Sequence, residues 1–346
     1  MLSSISIFHP MSNKNLHNAS KAKKDEFYTQ LPDIENELKH YKEQLKGKVI
    51  FCNCDDPEFS NFWRFFHLNF ERLGIKKLIS THFVYEDIFK KGETYKLEYE
   101  GGNDGDVNVG VKTILQENGD FRSKECVEIL KKSDIVITNP PFSLFREYMA
   151  QIMGYEKKFV IIGNKNAITY KEVFKWIKEN KMWVGNMSMG VDMLFGIPEN
   201  STKEIMESKK AGSGYRMVNG IIMARAQAVW FTNLDVKKRH EDIILYKKYN
   251  KDDYPKYDNY KAIEVSKTAD IPADYNGLMG VPITFLDKYN PDQFEIIGLA
   301  NDKREKDDAF VQATPFYLDE QHKSFVGFVL NGKATYARIL IRKKEK

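Results

Sequence analysis

Residues 133–148 read SDIVITNPPFSLFREY, and this stretch decides the fold. Its first part, residues 134–138, is a short apolar run, which predicts a buried strand. The double proline that follows stops the strand, because proline fixes φ and has no N–H to donate. A helical stretch over residues 144–153 comes next. The succession of strand, sharp turn and helix is typical of a parallel sheet that is covered by helices.

The same alternation continues on both sides of this stretch. Apolar runs predict strands at residues 48–52, 77–83, 159–163, 182–184 and 227–232, and a hairpin at residues 95–110 with its turn at residues 101–105. Apolar residues at helical spacing predict helices at residues 31–46, 59–73, 123–131 and 170–178. Residues 186–224 have weak periodicity, which favours a loop. In a sheet of this kind, ligands bind beyond the carboxyl ends of the strands.

The composition excludes several classes of protein. The chain has 346 residues, of which 42% are hydrophobic and 29% charged, and this size predicts about two globular domains. No run of 18 apolar residues exists, so no membrane helix is predicted. The opening MLSSISIFHPM has neither the basic region nor the apolar length of a signal peptide. Three cysteines are too few for a disulfide scaffold, so we expect a reducing, cytoplasmic location.

The charge is unevenly placed, although the net charge is only +4. The first 24 residues carry four lysines and no acid, and Met11 is an alternative start that leaves these lysines in place. Such an arm can neutralise phosphates, and the alternative is a solvated, disordered end. From residue 236, basic residues alternate with tyrosines. This pattern suits nucleic-acid contact, and a solvated face with packing tyrosines fits it equally well.

The tetrapeptide Asn139-Pro140-Pro141-Phe142 carries the candidate chemistry. An exocyclic amine of a base is a poor nucleophile, since its lone pair is delocalised into the ring. The side-chain oxygen of Asn139 and the carbonyl of Pro140 can accept its two N–H groups, while Phe142 stacks on the base; positioning and fixed dipoles then drive the reaction. The alternative is a proline turn that caps a buried strand. Its place directly after an apolar strand favours catalysis.

With these residues, the sequence resembles the EcoRI-type adenine-specific DNA methyltransferases, which modify the N6 amine of adenine with S-adenosylmethionine. The resemblance runs from around Asn15 to the C-terminus. Besides residues 133–148, it rests on DEFYTQ (25–30), IENELKHY (34–41), CNCDDP (52–57), GDFRS (119–123), ITYKEVF (168–174), YPKYDNY (254–260), DYNGLMGVPITFL (274–286) and NGKATYARILIR (331–342).

The resemblance implies an α/β fold of the class I methyltransferase type, which is Rossmann-like, with a mostly parallel seven-stranded sheet and a C-terminal target-recognition region. The expected divisions are a basic arm at residues 1–24, a catalytic domain at residues 25–235 and a DNA-binding region at residues 236–346. In this chain the cofactor motifs precede the catalytic tetrapeptide and a long tail follows it. This order of motifs matches the gamma class of amino-methyltransferases.

The resemblance also implies roles for individual residues. Phe27, Tyr28 and Thr29 would close over the methionine end of S-adenosylmethionine. The loop that wraps this cofactor would be formed by Cys52, Asn53, Cys54 and Asp55. Asp120 and Phe121 would contact the cofactor's adenine, and the catalytic residues would be Asn139, Pro140, Pro141 and Phe142.

Two departures from the family pattern concern the cofactor loop. The usual glycine-rich turn is absent, and turn-forming Asn and Asp residues stand there instead. The second strand, which usually ends in an acid that holds the ribose, ends here in Ser80-Thr81-His82-Phe83. Asp55 and Asp56 are both candidates for that acid. The three cysteines have poor spacing for zinc, so no metal is expected, and none follows a proline, which argues against cytosine-C5 methylation.

The function expected from the sequence is therefore methylation of an adenine that is flipped out of duplex DNA. A restriction–modification system, with a cognate endonuclease that acts on the same site without direct contact, is the expected setting, with GAATTC as the first candidate site; an orphan enzyme is also possible. The alternatives are a methyltransferase for RNA or protein amides and a catalytically idle DNA-binding module. The basic, tyrosine-rich tail favours a nucleic acid as the substrate. The intact tetrapeptide argues against a catalytically idle module.

Overall fold

The computed structural model describes residues 28–83, 93–102, 110–197, 214–302, 307–317 and 324–345. The basic arm and Phe27 lie outside this range. The strands are β1 (Tyr28–Thr29), β2 (Val49–Cys52), β3 (Lys77–His82), β4 (Tyr95–Tyr99), β5 (Val111–Ile114), β6 (Ile135–Thr138), β7 (Lys158–Asn164), β8 (Trp183–Val184), β9 (Met193–Gly196), β10 (Tyr215–Val218), β11 (Ile221–Ala226), β12 (Ala228–Thr232), β13 (Ile263–Glu264), β14 (Met279–Pro282), β15 (Phe294–Ala300), β16 (Val329–Leu330), β17 (Lys333–Ala334) and β18 (Arg338–Lys343).

The α-helices are α1 (Leu31–Leu38), α2 (Lys42–Leu45), α3 (Asn61–Leu68), α4 (Phe70–Leu73), α5 (Lys124–Lys132), α6 (Phe145–Gly154) and α7 (Lys171–Lys178). Short 3-10 helices lie at Lys39–Tyr41, Phe142–Leu144, Lys165–Thr169, Lys237–His240, Thr268–Asp270 and Ile283–Lys288. The fold is thus a mixture of α and β elements, as the sequence predicts.

The central sheet has the strand order β5-β4-β3-β2-β6-β7-β12-β8. The four middle strands, β3, β2, β6 and β7, are parallel to their neighbours within this group. Both edges are antiparallel, because the β4–β5 hairpin extends one side and β12 runs against β7 and β8 on the other. In the described residues the sheet therefore has eight strands and mixed direction, where the resemblance implies seven that are mostly parallel.

The middle strands are buried on both faces, as expected for a parallel sheet under helices. Alternate residues enter different cores, since successive side chains of a strand point to opposite faces. Phe51 and Val136 join the core beneath α5, α6 and α7, while Ile50 and Ile137 join the core beneath α1, α3 and α4.

The predicted helices are present with shifted boundaries, and β4 and β5 pair as an antiparallel hairpin whose expected turn at residues 101–105 lies partly outside the described residues. The helix expected at residues 31–46 is interrupted by the 3-10 turn Lys39–Tyr41, and the helix expected at residues 59–73 is interrupted at Asn69. Gly74 ends the latter in a left-handed conformation with φ 61°, which glycine adopts without steric cost. The second hairpin strand, β5, begins one residue after the expected range.

The interpretation of residues 186–224 as a loop is wrong for most of its described part. β9, β10 and β11 join β1 in a second sheet of order β1-β9-β11-β10. β9 pairs with β1 across more than 160 residues of sequence. A local pattern does not reveal such a pairing, because the strand is held by a distant partner.

In the described part of residues 236–345, four strands form a third sheet of order β13-β14-β18-β15. Ile263, Val281 and Ile341 of this sheet lie in the same core cluster as Phe174 and Ile177 of α7. The described part of the C-terminal region therefore packs against α7 and shares one continuous apolar core with the face of the central sheet beneath α5, α6 and α7.

Candidate active site

The loop after β2 and the tetrapeptide after β6 lie side by side. β2 and β6 are parallel neighbours, but the chain leaves β2 toward β3 on one side and returns on the other side as β6. Such a switch point opens a crevice at the carboxyl ends of the strands, where ligands bind in open α/β sheets. Asn53 and Asn139 each follow one of these two strands directly. The residues expected at the cofactor and at the target amine are thus neighbours.

Asp55 joins the two loops. One carboxyl oxygen accepts a hydrogen bond from Ser60 Oγ at 2.8 Å. The other accepts from the hydroxyl of Thr138 and from the backbone N–H of Asn139, the latter at 3.1 Å. The residue is 9% exposed, and this burial raises the pKa of Asp55 to about 6, while its hydrogen bonds oppose the shift. Asp55, a residue expected at the cofactor, is therefore directed at the tetrapeptide.

The tetrapeptide leads into a 3-10 turn, Phe142–Leu144, and then into α6. Phe142 is half-buried and meets Phe195 of β9 edge-on, with 6.2 Å between ring centroids. Three residues on, the ring of Phe145 lies so close to Gly163 of β7 that a Cβ there would be 2.3 Å from it. The turn is therefore held on two sides, by the second sheet and by β7.

Asn53 is buried at the start of the cofactor loop, with 3% exposure. Its side-chain oxygen accepts a hydrogen bond from the hydroxyl of Tyr148 on α6. Its side-chain nitrogen is buried and has no hydrogen-bond partner among the described residues. A buried donor without a partner is costly in a folded protein, so this N–H is suited to a ligand in the crevice.

Thr29 presents a second buried polar atom without a partner in the described chain, its hydroxyl oxygen. Its backbone carbonyl accepts a hydrogen bond from Asn61 at 2.8 Å, which ties β1 to the start of α3. Tyr28 precedes it and pairs with Gly196. The structure thus places two residues of the expected closing motif beside the helix that follows the cofactor loop.

Asp120 and Phe121 follow Gly119, whose φ is 76°. Gly119 packs against the last residue of β3, His82. A Cβ at Gly119 would lie 2.5 Å from the carbonyl oxygen of His82, so only glycine fits there. Phe121 is 5% exposed and meets Tyr148 edge-on at 5.1 Å. Tyr148 therefore touches both Asn53 and Phe121. Sequence reasoning missed it, although its place on the buried face of the helix after the tetrapeptide is a usable signal.

The carboxylate of Asp120 is engaged by its neighbour Arg122. Arg122 donates to it from Nε at 2.7 Å and from Nη2 at 2.6 Å. The side chain of Arg122 is 41% exposed and that of Asp120 is 15% exposed, so the contact lies at the protein surface with the carboxylate on its inner side.

Asp55 and Asp56 point in different directions. Whereas Asp55 faces the tetrapeptide, Asp56 lies 2.6 Å from Nδ1 of His82 at the end of β3. This hydrogen bond raises the pKa of His82 above its usual value. Of the two candidates for the missing acid of the second strand, Asp56 is the one whose carboxylate lies at that strand.

The three cysteines are free thiols. Cys52 is fully buried in the core with α3. Cys54 donates its backbone N–H to Thr138 at 3.2 Å, and burial raises the pKa of Cys126 to about 11. Within the described ranges, no group of three or more His, Cys, Asp or Glu side chains is arranged to hold a metal ion.

An open cleft of about 450 Å³ lies next to Phe142. Its other walls include Asn164 at the end of β7, Tyr215 of β10 and Gln227. Binding sites for small molecules commonly have volumes of this order. The lining thus includes two aromatic rings, Phe142 and Tyr215, and the side-chain amides of Asn164 and Gln227. No helix in the described chain is long and apolar enough to cross a membrane.

The tetrapeptide thus follows a buried parallel strand, borders an open cleft and is hydrogen-bonded to the loop after β2, as expected for the class of amino-methyltransferases. Comparison with known proteins gives the family. The chain matches the family described as adenine-specific methyltransferase EcoRI over residues 15–344, and it belongs to that family. It is an adenine-specific DNA methyltransferase of the restriction–modification type, with S-adenosylmethionine as methyl donor.

Three relatives are similar along nearly their whole lengths. The type II methyltransferase M.EcoRI of Escherichia coli is 47% identical, covering 96% of this chain and 97% of the relative. M.MgeORF184P of Mycoplasma genitalium is 38% identical over 96% and 99% of the two chains, and M.MpnI of Mycoplasma pneumoniae is 38% identical over 94% and 97%. No solved structure matches the chain.

Proposed function

We propose that the enzyme methylates the N6 amine of an adenine that is flipped out of a specific duplex DNA sequence, with Asn139-Pro140-Pro141-Phe142 as its catalytic residues. The observation that carries this proposal is the fixed position of the tetrapeptide beside an open cleft. Asn139 is anchored through its backbone to Asp55, and Phe142 forms a wall of the cleft. An adenine in duplex DNA reaches such a cleft only by leaving the base stack.

Within this site, the side-chain oxygen of Asn139 and the carbonyl oxygen of Pro140 accept the two N–H groups of the amine. These hydrogen bonds favour a tetrahedral nitrogen, whose lone pair is directed at the methyl group. The amine proton becomes acidic once the nitrogen is methylated, so no strong base is needed. Phe142 and Tyr215, which both line the cleft, hold the ring of the base. Fixed acceptors and positioning supply most of the rate enhancement.

The crevice beside the tetrapeptide holds the cofactor in this proposal. S-adenosylmethionine supplies an electrophilic methyl group on its sulfonium. The unpartnered polar atoms of Thr29 and Asn53 fit a ligand with amino, carboxylate and hydroxyl groups. Asp120 and Phe121 contact its adenine, and Asp56 takes the ribose. Phe27 lies outside the described residues and keeps its proposed place above the methionine end.

The setting of the reaction is proposed from the sequence and the relatives. The finer fold is of the class I methyltransferase type, residues 25–235 carry catalysis and residues 236–346 read the target. The arm at residues 1–24 contacts phosphates. GAATTC is the first candidate site, and a cytoplasmic location beside a cognate endonuclease is the expected biological context.

Mapping of methylated adenines in a whole genome treated in vitro tests this function. Purified enzyme and cofactor should modify adenine within one short sequence motif, and Asn139→Ala should leave the same DNA unmodified. A competition assay with duplex DNA, RNA and protein should show transfer to DNA alone. Transfer to RNA or protein, or scattered modification without a common motif, would contradict the proposal.

A further inference from the structure

The network around Asp55 links two segments that lie far apart in the chain. Asp55 belongs to the loop after β2, whereas two of its hydrogen-bond donors, Thr138 and Asn139, end β6 and begin the tetrapeptide. The link is reciprocal, because Thr138 Oγ1 accepts the backbone N–H of Cys54 at 3.2 Å. Ser60, which caps α3 by accepting from Phe62 N–H, donates to the second oxygen of Asp55.

The contacts of Asp55 distinguish it from a cofactor ligand. Both of its carboxyl oxygens accept hydrogen bonds from the chain itself, and the residue is 9% exposed. Asn53 in the same loop is different, since its side-chain nitrogen is buried without a partner in the described chain. Two residues of this loop therefore have different roles. Asn53 is available to the cofactor, whereas the carboxyl group of Asp55 is directed at Thr138 and Asn139, at the end of β6.

The position of Asn139 depends on the hydrogen bond between its backbone N–H and the carboxyl group of Asp55. A backbone N–H held by a buried carboxyl fixes the peptide plane from which the side chain projects. The amide oxygen of Asn139 must reach the target amine within hydrogen-bond distance, and a misplacement of about 1 Å can cost about 10²-fold in rate. The prolines that follow restrict the chain further, because their φ angles are fixed.

We propose that Asp55 is a positioning residue for Asn139, which it holds through the backbone N–H of Asn139 and the hydroxyl of Thr138, so that the cofactor loop and the tetrapeptide form one rigid unit. This inference rests on the proposed function, since it takes Asn139 as the catalytic residue. Asp55 acts on the methyl-transfer step and makes no contact with cofactor or base.

Single-turnover methylation at saturating cofactor and DNA, together with cofactor titration, tests the proposal. Asp55→Ala should lower the rate by about 10²-fold while cofactor affinity stays within about threefold. Asp55→Asn should recover most of the rate, since its amide oxygen can still accept from Thr138 and Asn139. Thr138→Val, which removes one donor at constant shape, should give an intermediate loss. Melting curves show that each variant is folded.

Glu37→Gln is the matched control. Glu37 is a fully buried carboxylate that accepts from the Tyr41 hydroxyl at 2.6 Å and from the backbone N–H groups of Asn186 and Met187 at 2.7 Å. It resembles Asp55 in burial and bonding but is bound to other loops. Its variant should lose stability and keep the single-turnover rate. A rate loss equal to that of Asp55→Ala would assign the effect of Asp55 to general loosening and overturn the proposal.

The double variant Asp55→Ala/Asn139→Ala separates positioning from other roles. Residues that act as a unit are not additive, so the double variant should be no slower than Asn139→Ala alone. Multiplied losses, or weaker cofactor binding with a normal saturated rate in Asp55→Ala, would overturn the positioning role. If Asn139→Ala itself keeps normal turnover, the proposed function fails, and this outcome is distinct from a failure of Asp55 alone. If Asp55→Ala does not fold, the single-turnover rates and cofactor affinities of Asp55→Asn and Thr138→Val test the positioning role instead.

Discussion

Tyr148 on α6 donates its hydroxyl to the side-chain oxygen of Asn53, and so the helix that follows the tetrapeptide fixes the orientation of a residue in the cofactor loop. With that oxygen occupied, the amide nitrogen of Asn53 is left as a buried donor without a partner among the described residues. The same tyrosine ring supports Phe121. One side chain thus orders both proposed ends of the cofactor site.

We therefore expect Tyr148→Phe to weaken binding of S-adenosylmethionine about two- to tenfold, the usual range for one lost hydrogen bond. The phenyl ring should keep its packing on Phe121, so stability should change little. Isothermal titration with the cofactor measures the effect. Tyr95→Phe is a suitable control, because its hydroxyl bonds Glu58 rather than Asn53. Unaltered cofactor affinity in Tyr148→Phe would show that the orientation of Asn53 does not matter.

Asn139→Ala should lower turnover by about 10²–10³-fold, as expected for the loss of one preorganised hydrogen bond to the reacting group. Cofactor binding should persist, because Asn139 is assigned to the amine. Single-turnover rates and cofactor titration give both quantities. Near-normal turnover would remove Asn139 from the catalytic residues.

Asp120→Ala should weaken cofactor affinity by about 1.5–3 kcal/mol, the value of a hydrogen bond to a charged group, and leave DNA affinity unchanged. Arg122→Ala is the control, since it removes the present partner of Asp120 and leaves the carboxylate in place. Because this ion pair is half-exposed, its loss should cost at most about 1 kcal/mol. Equal losses in the two variants would indicate that the shape of the loop matters and that Asp120 makes no direct contact.

The stability of the enzyme should depend on pH through Asp55. Burial raises its pKa from 3.8 to about 6, so the folded state favours the protonated form. Stability from this group is present below pH 3.8 and is lost as the pH rises through 6. Relative to Asp55→Asn, which does not titrate, the wild type should lose up to about 3 kcal/mol between pH 4 and 7. Denaturant unfolding of both proteins at several pH values checks this, and a wild type that gains stability relative to Asp55→Asn as the pH rises would contradict it.

Deletion of residues 1–24 should weaken DNA binding about equally at all sequences. Lysines on flexible stems contact phosphates and add affinity without reading bases. If all four lysines engage, the slope of log K against log salt should fall in magnitude by about 3–4, at about 0.9 for each phosphate. Replacement of Lys14, Lys21, Lys23 and Lys24 by Gln, at full length, should have the same effect. An unchanged slope with lost discrimination would mean that the arm reads bases.

The features that the sequence predicts are those that depend on neighbouring residues. The strand before Asn139, the break at Pro140 and the helix after Phe142 all follow from adjacent residues, and the structure contains them. The resemblance then names a family, and the comparisons confirm it.

The contacts that give the site its shape join distant residues, and local patterns do not encode them. Asp55 and Asp56 are adjacent and chemically identical, yet one faces Asn139 and the other His82. Which one turns inward is decided by the donors of Ser60 and Thr138, which only the folded chain brings together. Likewise, β9 is a strand because β1 and β11 flank it.

The apolar core that residues 236–345 share with the helix-covered face of the central sheet limits how target specificity can evolve. A DNA-reading region that can be exchanged between enzymes must separate cleanly, whereas removal of this region, for which target reading is proposed, would expose Phe174, Ile177 and their neighbours to water. Recombination at residue 236 would join mismatched halves of one core. New specificity should therefore arise by gradual substitution of surface residues, and whole-module transfer between relatives should give insoluble chains.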